Sequence, residues 1–178
     1  MSGGMVLVDV SGKASTVMTT KGDIVTFSTE RVRKGVGSNS QILVCDSTDT
    51  DGNKYDFNTV SFVVACSSEG DDLETGDDKA QFRIPFAFEL TSISANVNTA
   101  PTGADIHVQV QEDGADILAG NGITIDISET SSETSSSPPS ISDSTLAANS
   151  ILSFDLDQVG SSTAGTGLKV NLIGYRIV

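Results

Sequence analysis

The chain has 178 residues, which is enough for one domain of ordinary size and one smaller segment. Apolar residues make up 37% of it and aromatic residues 5%, and its Ser, Thr, Gly, Asp, Val and Ile favour short strands joined by polar turns over long helices. The formal net charge of −14 repels nucleic acid and anionic membranes, so we expect neither as a partner.

The charge is distributed unevenly along the chain. Residues 1–55 contain six acidic and six basic residues, whereas residues 56–178 contain 18 acidic and 4 basic ones. The sequence therefore predicts a neutral N-terminal arm over residues 1–55 and an acidic domain over residues 56–178. No stretch has the length of a membrane span or the pattern of a signal peptide, which predicts synthesis in a reducing cytoplasm.

The N-terminal arm contains short β-prone pieces separated by glycine-containing turns. These pieces are residues 5–10 (MVLVDV), 23–27 (DIVTF) and 41–45 (QILVC). Two-residue alternation is interrupted too often for a compact sheet, so we expect an extended docking segment whose short strands need another surface. Residues 46–56 predict a turn-rich link to the next domain, with Asp51-Gly52 as its strongest turn signal.

Strand-like runs then recur at short intervals. Apolar residues alternate with polar ones in 104–111 and in 152–157, a pattern typical of an antiparallel sheet with one solvated face. The predicted runs are residues 59–67, 80–84, 87–97, 106–111, 117–118, 123–127, 151–156 and 168–178. No amphipathic helix is apparent, so the predicted fold class is all-β, an antiparallel, jelly-roll-like β-sandwich. The Ser-rich tract 128–142, which contains Pro138 and Pro139, is expected at an edge or in a loop.

Little in the sequence supports an enzyme. The chain has one histidine, His107, at a polar-facing position of the alternating run 104–111 beside Asp105 and Gln109, which predicts a solvated strand histidine. A nucleophile elbow, a P-loop and a dinucleotide fingerprint are all missing. We therefore expect a non-enzymatic protein without a cofactor.

Two acidic runs invite comparison with calcium sites. Residues 46–53 superficially resemble an EF-hand loop, but alignment on Gly52 places Ser47 and Asn58 where an acid and a bidentate Glu are required. The second run has six acids in ten residues: Glu69, Asp71, Asp72, Glu74, Asp77 and Asp78. Clustered carboxylates repel one another unless solvent or a cation separates them, so we expect a solvated loop, with calcium binding as the alternative.

The two cysteines and the single basic cluster complete the candidate sites. Cys45 and Cys66 each follow a Val-containing apolar run, which favours two buried free thiols, with a disulfide as the alternative. The cluster Arg31, Arg33 and Lys34 is short and lacks interleaved aromatic residues, so docking against an acidic protein surface fits it better than nucleic-acid binding, and an exposed surface role is the alternative. With two tyrosines and no tryptophan, a sugar-stacking site has weak support.

The arm resembles a motif of tailed-bacteriophage structural proteins. The matching stretches are residues 19–29 (TTKGDIVTFST), 31–33 (RVR), 36–43 (VGSNSQIL), 46–47 (DS) and 52–55 (GNKY). The C-terminal part is similar to a domain that recurs in phage particle proteins, over residues 82–86 (FRIPF), 90–93 (LTSI), 98–103 (NTAPTG), 141–146 (ISDSTL) and 154–170. Together the two resemblances span most of residues 19–178.

The resemblance implies a virion protein, usually homotrimeric, with an arm that docks and a β-sandwich that projects. We expect a protein at the virion surface that decorates or cements the capsid, bound to the major capsid protein or other virion proteins. The expected docking residues are Lys21, Gly22, Asp23, Arg31, Arg33 and Lys34. A head or tail fibre that adheres to a host glycan is the first alternative, and a calcium-dependent binding module that uses the acids of 69–78 is the second.

Overall fold

The computed structural model of the protein describes residues 7–8, 14–15, 24–27, 31–35, 37–50 and 52–178. The chain separates into two compact units, Met1–Asn58 and Thr59–Val178. The boundary expected after residue 55 falls inside a strand of the first unit, Asn53–Phe57. The described residues include no helix long and apolar enough to cross a membrane.

The N-terminal unit consists, in its described part, of short strands. They are β1 (Leu7–Val8), β2 (Ala14–Ser15), β3 (Ile24–Phe27), β4 (Arg31–Lys34), β5 (Gln41–Cys45) and β6 (Asn53–Phe57). Each strand pairs antiparallel with its neighbour in sequence, which gives three separate two-stranded ladders, β1–β2, β3–β4 and β5–β6. A two-stranded ladder buries too little apolar surface to be stable alone in water.

Residues 46–52 form the loop of the β5–β6 hairpin, so the prediction of an interdomain link there was wrong. The Asp46 amide donates to the Gly52 carbonyl at 2.9 Å, and Gly52 has φ +74°, a left-handed conformation that suits glycine. The Asp46 carboxylate accepts hydrogen bonds from the Thr48 hydroxyl at 2.6 Å and the Thr48 amide at 2.9 Å. These bonds, helped by Lys54, lower the pKa of Asp46 to about 2. The turn signal therefore marked a chain reversal within one hairpin.

The C-terminal unit contains six long strands, several short ones and a single 3-10 turn at Ser132–Thr134. The strands are β7 (Thr59–Ala65), β8 (Gly76–Arg83), β9 (Phe88–Asn96), β10 (Ile106–Glu112), β11 (Ala115–Asp116), β12 (Leu118–Ala119), β13 (Ile123–Ile125), β14 (Ser140–Ile141), β15 (Thr145–Leu146), β16 (Ile151–Gln158) and β17 (Lys169–Arg176). Every strand-like run predicted after residue 58 overlaps one of them. β8 starts before its predicted run, at Gly76, and takes in two residues of the acidic stretch.

The long strands form two antiparallel sheets. One has the order β15-β9-β17-β7, and the other has the order β11-β10-β16-β8, with β13 also paired to β10. The first long strand, β7, pairs with the last, β17, and the second, β8, pairs with the fifth, β16. This nested pairing gives the all-β, jelly-roll-like antiparallel sandwich that the sequence predicted.

A single apolar core fills the space between the two sheets. Phe62 of β7 contacts Phe82 of β8 with ring centroids 5.5 Å apart, and it meets Phe88 of β9 edge-on at 5.3 Å. Phe82 in turn stacks on Phe154 of β16 at 6.3 Å. Each such aromatic pair adds roughly 0.5–1.5 kcal/mol to the gain from burial. The phenylalanines therefore hold the two sheets together along the edge formed by β7 and β8.

The outer face of the second sheet is solvated only in part. Gln81 of β8 and Asp157 of β16 are exposed there, as the alternation predicted, but the centre of the face is covered. Gln109 of β10 and Asp155 of β16 are each only 7% exposed, and Ser153 is buried with them. The Gln109 amide donates to the Leu118 carbonyl at 3.4 Å, because the short strands after β10 fold across this face. Asp155 accepts a hydrogen bond of 2.7 Å from the Asp78 amide. These polar groups are buried with partners, so a polar residue in the alternating pattern did not signal exposure at these positions.

Most of the Ser-rich tract 128–142 is a loop, as predicted, but it contains the 3-10 turn Ser132–Thr134 and ends in β14. Ser132 is buried, and its hydroxyl accepts a hydrogen bond of 2.8 Å from the Ala95 amide of β9. The Asp126 carboxylate, next to β13, accepts from the Ser135 hydroxyl and the Ser136 amide, each at 2.8 Å. These bonds lower the pKa of Asp126. Since β9 and β13 pair into different sheets, the tract spans the sandwich on the side away from β7.

Both cysteines are free, as the sequence favoured, but only one of them is buried. Cys66 lies in the core, and burial raises the pKa of its thiol to about 12. Cys45 is exposed, so the expectation of a buried thiol there was wrong. The apolar run before Cys45 belongs to the two-stranded β5–β6 ladder and not to one of the two sheets of the sandwich.

We expect a thiol reagent such as DTNB to modify one thiol per folded chain, because Cys45 is exposed, whereas burial shields Cys66 and raises the pKa of its thiol. The Cys45→Ser variant should release no thiolate product until denaturant is added, and wild type should then release twice its native amount. Rapid modification of native Cys45→Ser would contradict the burial of Cys66.

Gly174 of β17 lies where β9 approaches most closely. A Cβ atom at this position would collide with the Glu89 carbonyl oxygen and would lie 2.7 Å from the Phe88 ring. The Gly174→Ala variant should therefore lose about 1–3 kcal/mol of unfolding free energy through overpacking, measured by urea denaturation. Gly70→Ala is the matched control, because a Cβ atom there meets nothing within 4 Å. Equal stability of the two variants would show that the strands separate without cost.

Candidate functional site

The predicted docking residues lie in the N-terminal unit, and half of them are outside the described residues. The docking residues outside the described ranges are Lys21, Gly22 and Asp23. Arg31 and Arg33 belong to β4, where their Cα atoms stand opposite Phe27 and Val25 of β3. The β3–β4 ladder thus places the two arginines two positions apart in one strand.

Lys34 is the docking candidate whose side chain is described. Its ammonium group lies 3.6 Å from the Asp49 carboxylate and also donates to the Asn53 carbonyl oxygen. Both partners belong to the β5–β6 hairpin, so Lys34 fastens β4 to that hairpin. The neighbouring Lys54 pairs with Asp46 and Asp56, each at 3.3 Å, and the pKa of Lys54 is raised by these two contacts.

The β5–β6 hairpin carries exposed apolar side chains that the sequence analysis did not single out. The ladder sets Leu43 opposite Tyr55 and Gln41 opposite Phe57, so Leu43, Tyr55 and Phe57 lie on one side of the hairpin. Leu43 is 45% exposed and Phe57 is 38% exposed. We call these three residues the hairpin face. The alternation of Tyr55 and Phe57 was the available signal, but it becomes visible only once residues 46–52 are placed in a hairpin loop.

The fold gives the six predicted cation ligands of residues 69–78 different partners, although Asp71, Asp72 and Glu74 line one surface cavity. Glu69 pairs with Lys169 at 2.8 Å and accepts a hydrogen bond from the Asn98 amide at 2.5 Å, and these two contacts lower the pKa of Glu69. Asp71 accepts a hydrogen bond from the Ser68 hydroxyl at 2.7 Å. Asp72 forms an isolated antiparallel β-bridge with Thr166 through its main chain.

The other three acidic residues of the stretch differ in their environment. Glu74 is exposed, whereas Asp77 and Asp78 already lie in β8. Within the described part of the chain, no group of three or more His, Cys, Asp or Glu side chains is arranged to hold a metal ion. Calcium binding by residues 69–78 therefore stays a prediction.

A different acidic cluster, which the sequence analysis missed, forms on the outer side of the second sheet. Asp157 of β16 has a raised pKa, because partial burial and then the charges of Asp155, Asp116 and Asp77 disfavour its ionised form. His107 of β10 acts in the opposite direction and lowers the pKa of Asp157. The sequence predicted a solvated histidine, and the structure places His107 in a partly buried position. These acids come from β8, β11 and β16, so only the strand order brings them together. Their mutual repulsion lowers the stability of the fold at this place, as a consequence of the strongly acidic composition.

Comparison of the chain with models of known protein families, with curated proteins and with solved structures finds no match.

The Asp157→Asn variant should be more stable than wild type at neutral pH, by up to about 0.5 kcal/mol, the usual range for a surface substitution. The raised pKa means that the folded state binds the proton more tightly than the unfolded state does. Ionisation therefore destabilises the fold as the pH rises from 3.8, the ordinary pKa of an aspartate, through the folded pKa, and Asn removes that cost. Urea unfolding at several pH values should show a gain that shrinks as the solution becomes acidic.

Glu74→Gln is the control for this prediction, since it removes one negative charge from an exposed loop of the same unit. An equal gain in both variants would mean that total charge, and not the local cluster, sets the effect.

Proposed function

We propose that this chain is a structural protein of a tailed-bacteriophage virion that decorates or cements the capsid. In this proposal the N-terminal unit attaches to the particle and the sandwich projects into solvent. The observation that carries the proposal is the division of the chain into a unit built from separate hairpins and a self-contained acidic sandwich. The resemblance of the arm motif and the C-terminal stretches to phage particle proteins supplies the biological setting.

The composition of the sandwich supports a role in solvent. Residues 59–178 contain 17 acidic and 4 basic residues, while their apolar residues form one core. Such an excess of one charge keeps neighbouring domains apart and soluble at the high local density of a particle surface. The same charge discourages contact with the nucleic acid of the particle or with a membrane.

The N-terminal unit supports a role in attachment. It contains seven acidic and six basic residues, so it can approach another protein without the repulsion that the sandwich would meet. Its ladders are two-stranded, and the hairpin face exposes Leu43 and Phe57. Short strands whose described residues pair on one side only, and which carry exposed apolar side chains, are suited to strand addition on a partner, here the major capsid protein or another virion protein.

The mechanism in this proposal is ordinary linkage. A protein that binds only the assembled lattice stabilises that lattice by the free energy of its binding, and no chemical step is needed. A homotrimer, which the resemblance implies, would present three N-terminal units to the lattice and gain affinity from their joint attachment.

Deletion of residues 1–58 should leave a folded sandwich that no longer associates with particles, because the core lies within residues 59–178. Co-sedimentation with particles stripped of the protein would measure the loss, expected to be tenfold or more in affinity, about 1.4 kcal/mol. In the full chain, Leu43→Asp should weaken binding in the same direction. Ile127→Asp, at an exposed apolar residue of the sandwich, should bind as wild type does.

A sandwich fragment that binds particles as tightly as the full chain would remove the attachment role of the N-terminal unit. The number of copies in purified virions addresses the position on the particle. A count comparable to that of the capsid subunits supports decoration, whereas a count matching one tail supports the fibre alternative.

A further inference from the structure

The two sheets are bounded by β15, β7, β8 and, beside β10, the short strands β11 and β13, and all of these edges except β7 are protected. The three residues of β13 are buried. β15 and β11 are two residues long, which leaves little edge for another strand to pair with. β8 carries Asp77, Asp78, Lys79 and Arg83, its pairing with β16 shifts register, and Asp78 has a positive φ of 53°. Charges and bulges of this kind prevent pairing with a further strand.

The remaining edge, β7, has none of these protections. Its seven residues, TVSFVVA, include no charged residue and no proline, and three of them are valines. Their burial alternates regularly, with Val60, Phe62 and Val64 packed against the core and the other four residues exposed. Val63 is 67% exposed. A long, regular and uncharged edge strand of this kind is a template for strand addition.

The hydrogen-bond pattern shows which main-chain groups of β7 face outward. The Cys66 amide donates to the Leu168 carbonyl at 2.9 Å, so these two opposed residues form a hydrogen-bonded pair. Since such pairs alternate along an antiparallel ladder, Val64, Phe62 and Val60 bond to β17. The amides and carbonyls of Thr59, Ser61, Val63 and Ala65 then point away from β17. In the described part of the chain β7 pairs with β17 alone.

We propose that the open edge of β7 pairs antiparallel with β7 of a second copy of this chain, across a two-fold axis at Phe62. This register sets Ser61 opposite Val63 of the second copy and Thr59 opposite Ala65 of the second copy. All four are residues whose main-chain groups face outward, so each strand offers donors and acceptors at the spacing that the other requires. The two four-stranded sheets then become one continuous sheet.

The self-complementary register makes a second copy the partner, and the lack of charged residues in β7 permits the contact. With 17 acidic and 4 basic residues in each sandwich, two copies repel each other over most of their surfaces. The outward side chains of β7 are small and uncharged, so this edge is where like-charged copies can meet. Each trimer would present three such edges, and their pairing would link trimers to one another. The contact belongs to the sandwich itself and is independent of attachment to a particle.

The test is a proline substitution at an outward position of β7 in the full chain. Val63→Pro removes an outward amide without removing a bond to β17, and proline is tolerated at such edge positions. We expect multi-angle light scattering over a range of concentrations to give wild type twice the mass of Val63→Pro. Val63→Lys keeps the amide but places a charged side chain on each edge strand, which disfavours pairing with a further strand, and it should have the mass of the proline variant.

Two controls separate this effect from damage to the fold. Gln81→Lys places the same charge on an exposed residue of β8, the edge strand of the other sheet, and should keep the wild-type mass. Val64→Pro removes a bond to β17 and should lower the melting temperature, which Val63→Pro should largely retain.

Amide hydrogen exchange gives a second readout at residue level. In wild type the Ser61 and Ala65 amides should be protected, and their protection should rise with protein concentration and disappear in Val63→Lys. The Phe62 and Val64 amides should be protected in both proteins. A wild type with the mass of Val63→Lys, or freely exchanging Ser61 and Ala65 amides at high concentration, would overturn the proposal.

Discussion

The sandwich depends on the pairing of its first long strand with its last. β7 and β17 are joined along seven residue pairs, although about a hundred residues separate them in sequence. The Glu69–Lys169 ion pair and the bond from the Leu168 amide to the Ser67 hydroxyl lie just beyond the end of this ladder. Until these strands meet, β7 has no other strand to pair with in the described sandwich. Pairing over such a separation makes folding slow, because the chain entropy is lost before the contacts form.

The excess of negative charge determines how the acidic side chains outside the core are placed and paired. The acids of residues 69–78 are dispersed into an ion pair, a turn and a strand, which relieves the repulsion that their spacing in sequence suggests. Repulsion persists at Asp157, whose neighbours come from other strands. The N-terminal unit is nearly neutral and differs from the sandwich in this respect. The proposed division of roles between attachment and projection rests on that difference.

Local pattern was sufficient to predict the strands but not their environment. The alternation in 104–111 and 152–157 located β10 and β16, and it also predicted a solvated face, which holds for Asp157 but not for Gln109, over which β12 lies. Whether a further layer covers a sheet depends on where the chain returns, and two-residue periodicity carries no such information. The same limit explains Cys45, whose apolar neighbours in β5 resemble a core strand yet belong to a two-stranded ladder.

The features that bear on function were harder to predict for a related reason. The acidic cluster around Asp157 requires the order β11-β10-β16-β8, and the open edge of β7 requires knowing that β7 ends its sheet. Strand order is a property of the whole chain. The docking residues Arg31, Arg33 and Lys34 could be named from composition, but the engagement of Lys34 with Asp49 depends on how two hairpins are placed in one unit.

The Ser-rich tract has a consequence for the size that an assembly of this protein can reach. It lies along the edge of β9, where the Ala95 and Val97 amides donate to the Ser132 hydroxyl and the Thr130 carbonyl. A subunit with open strand edges on both sides of its sheet would polymerise without limit into a fibril. A subunit whose second edge is already hydrogen-bonded can pair with only one neighbour. The Ser- and Pro-rich tract therefore ends the sheet on the β9 side.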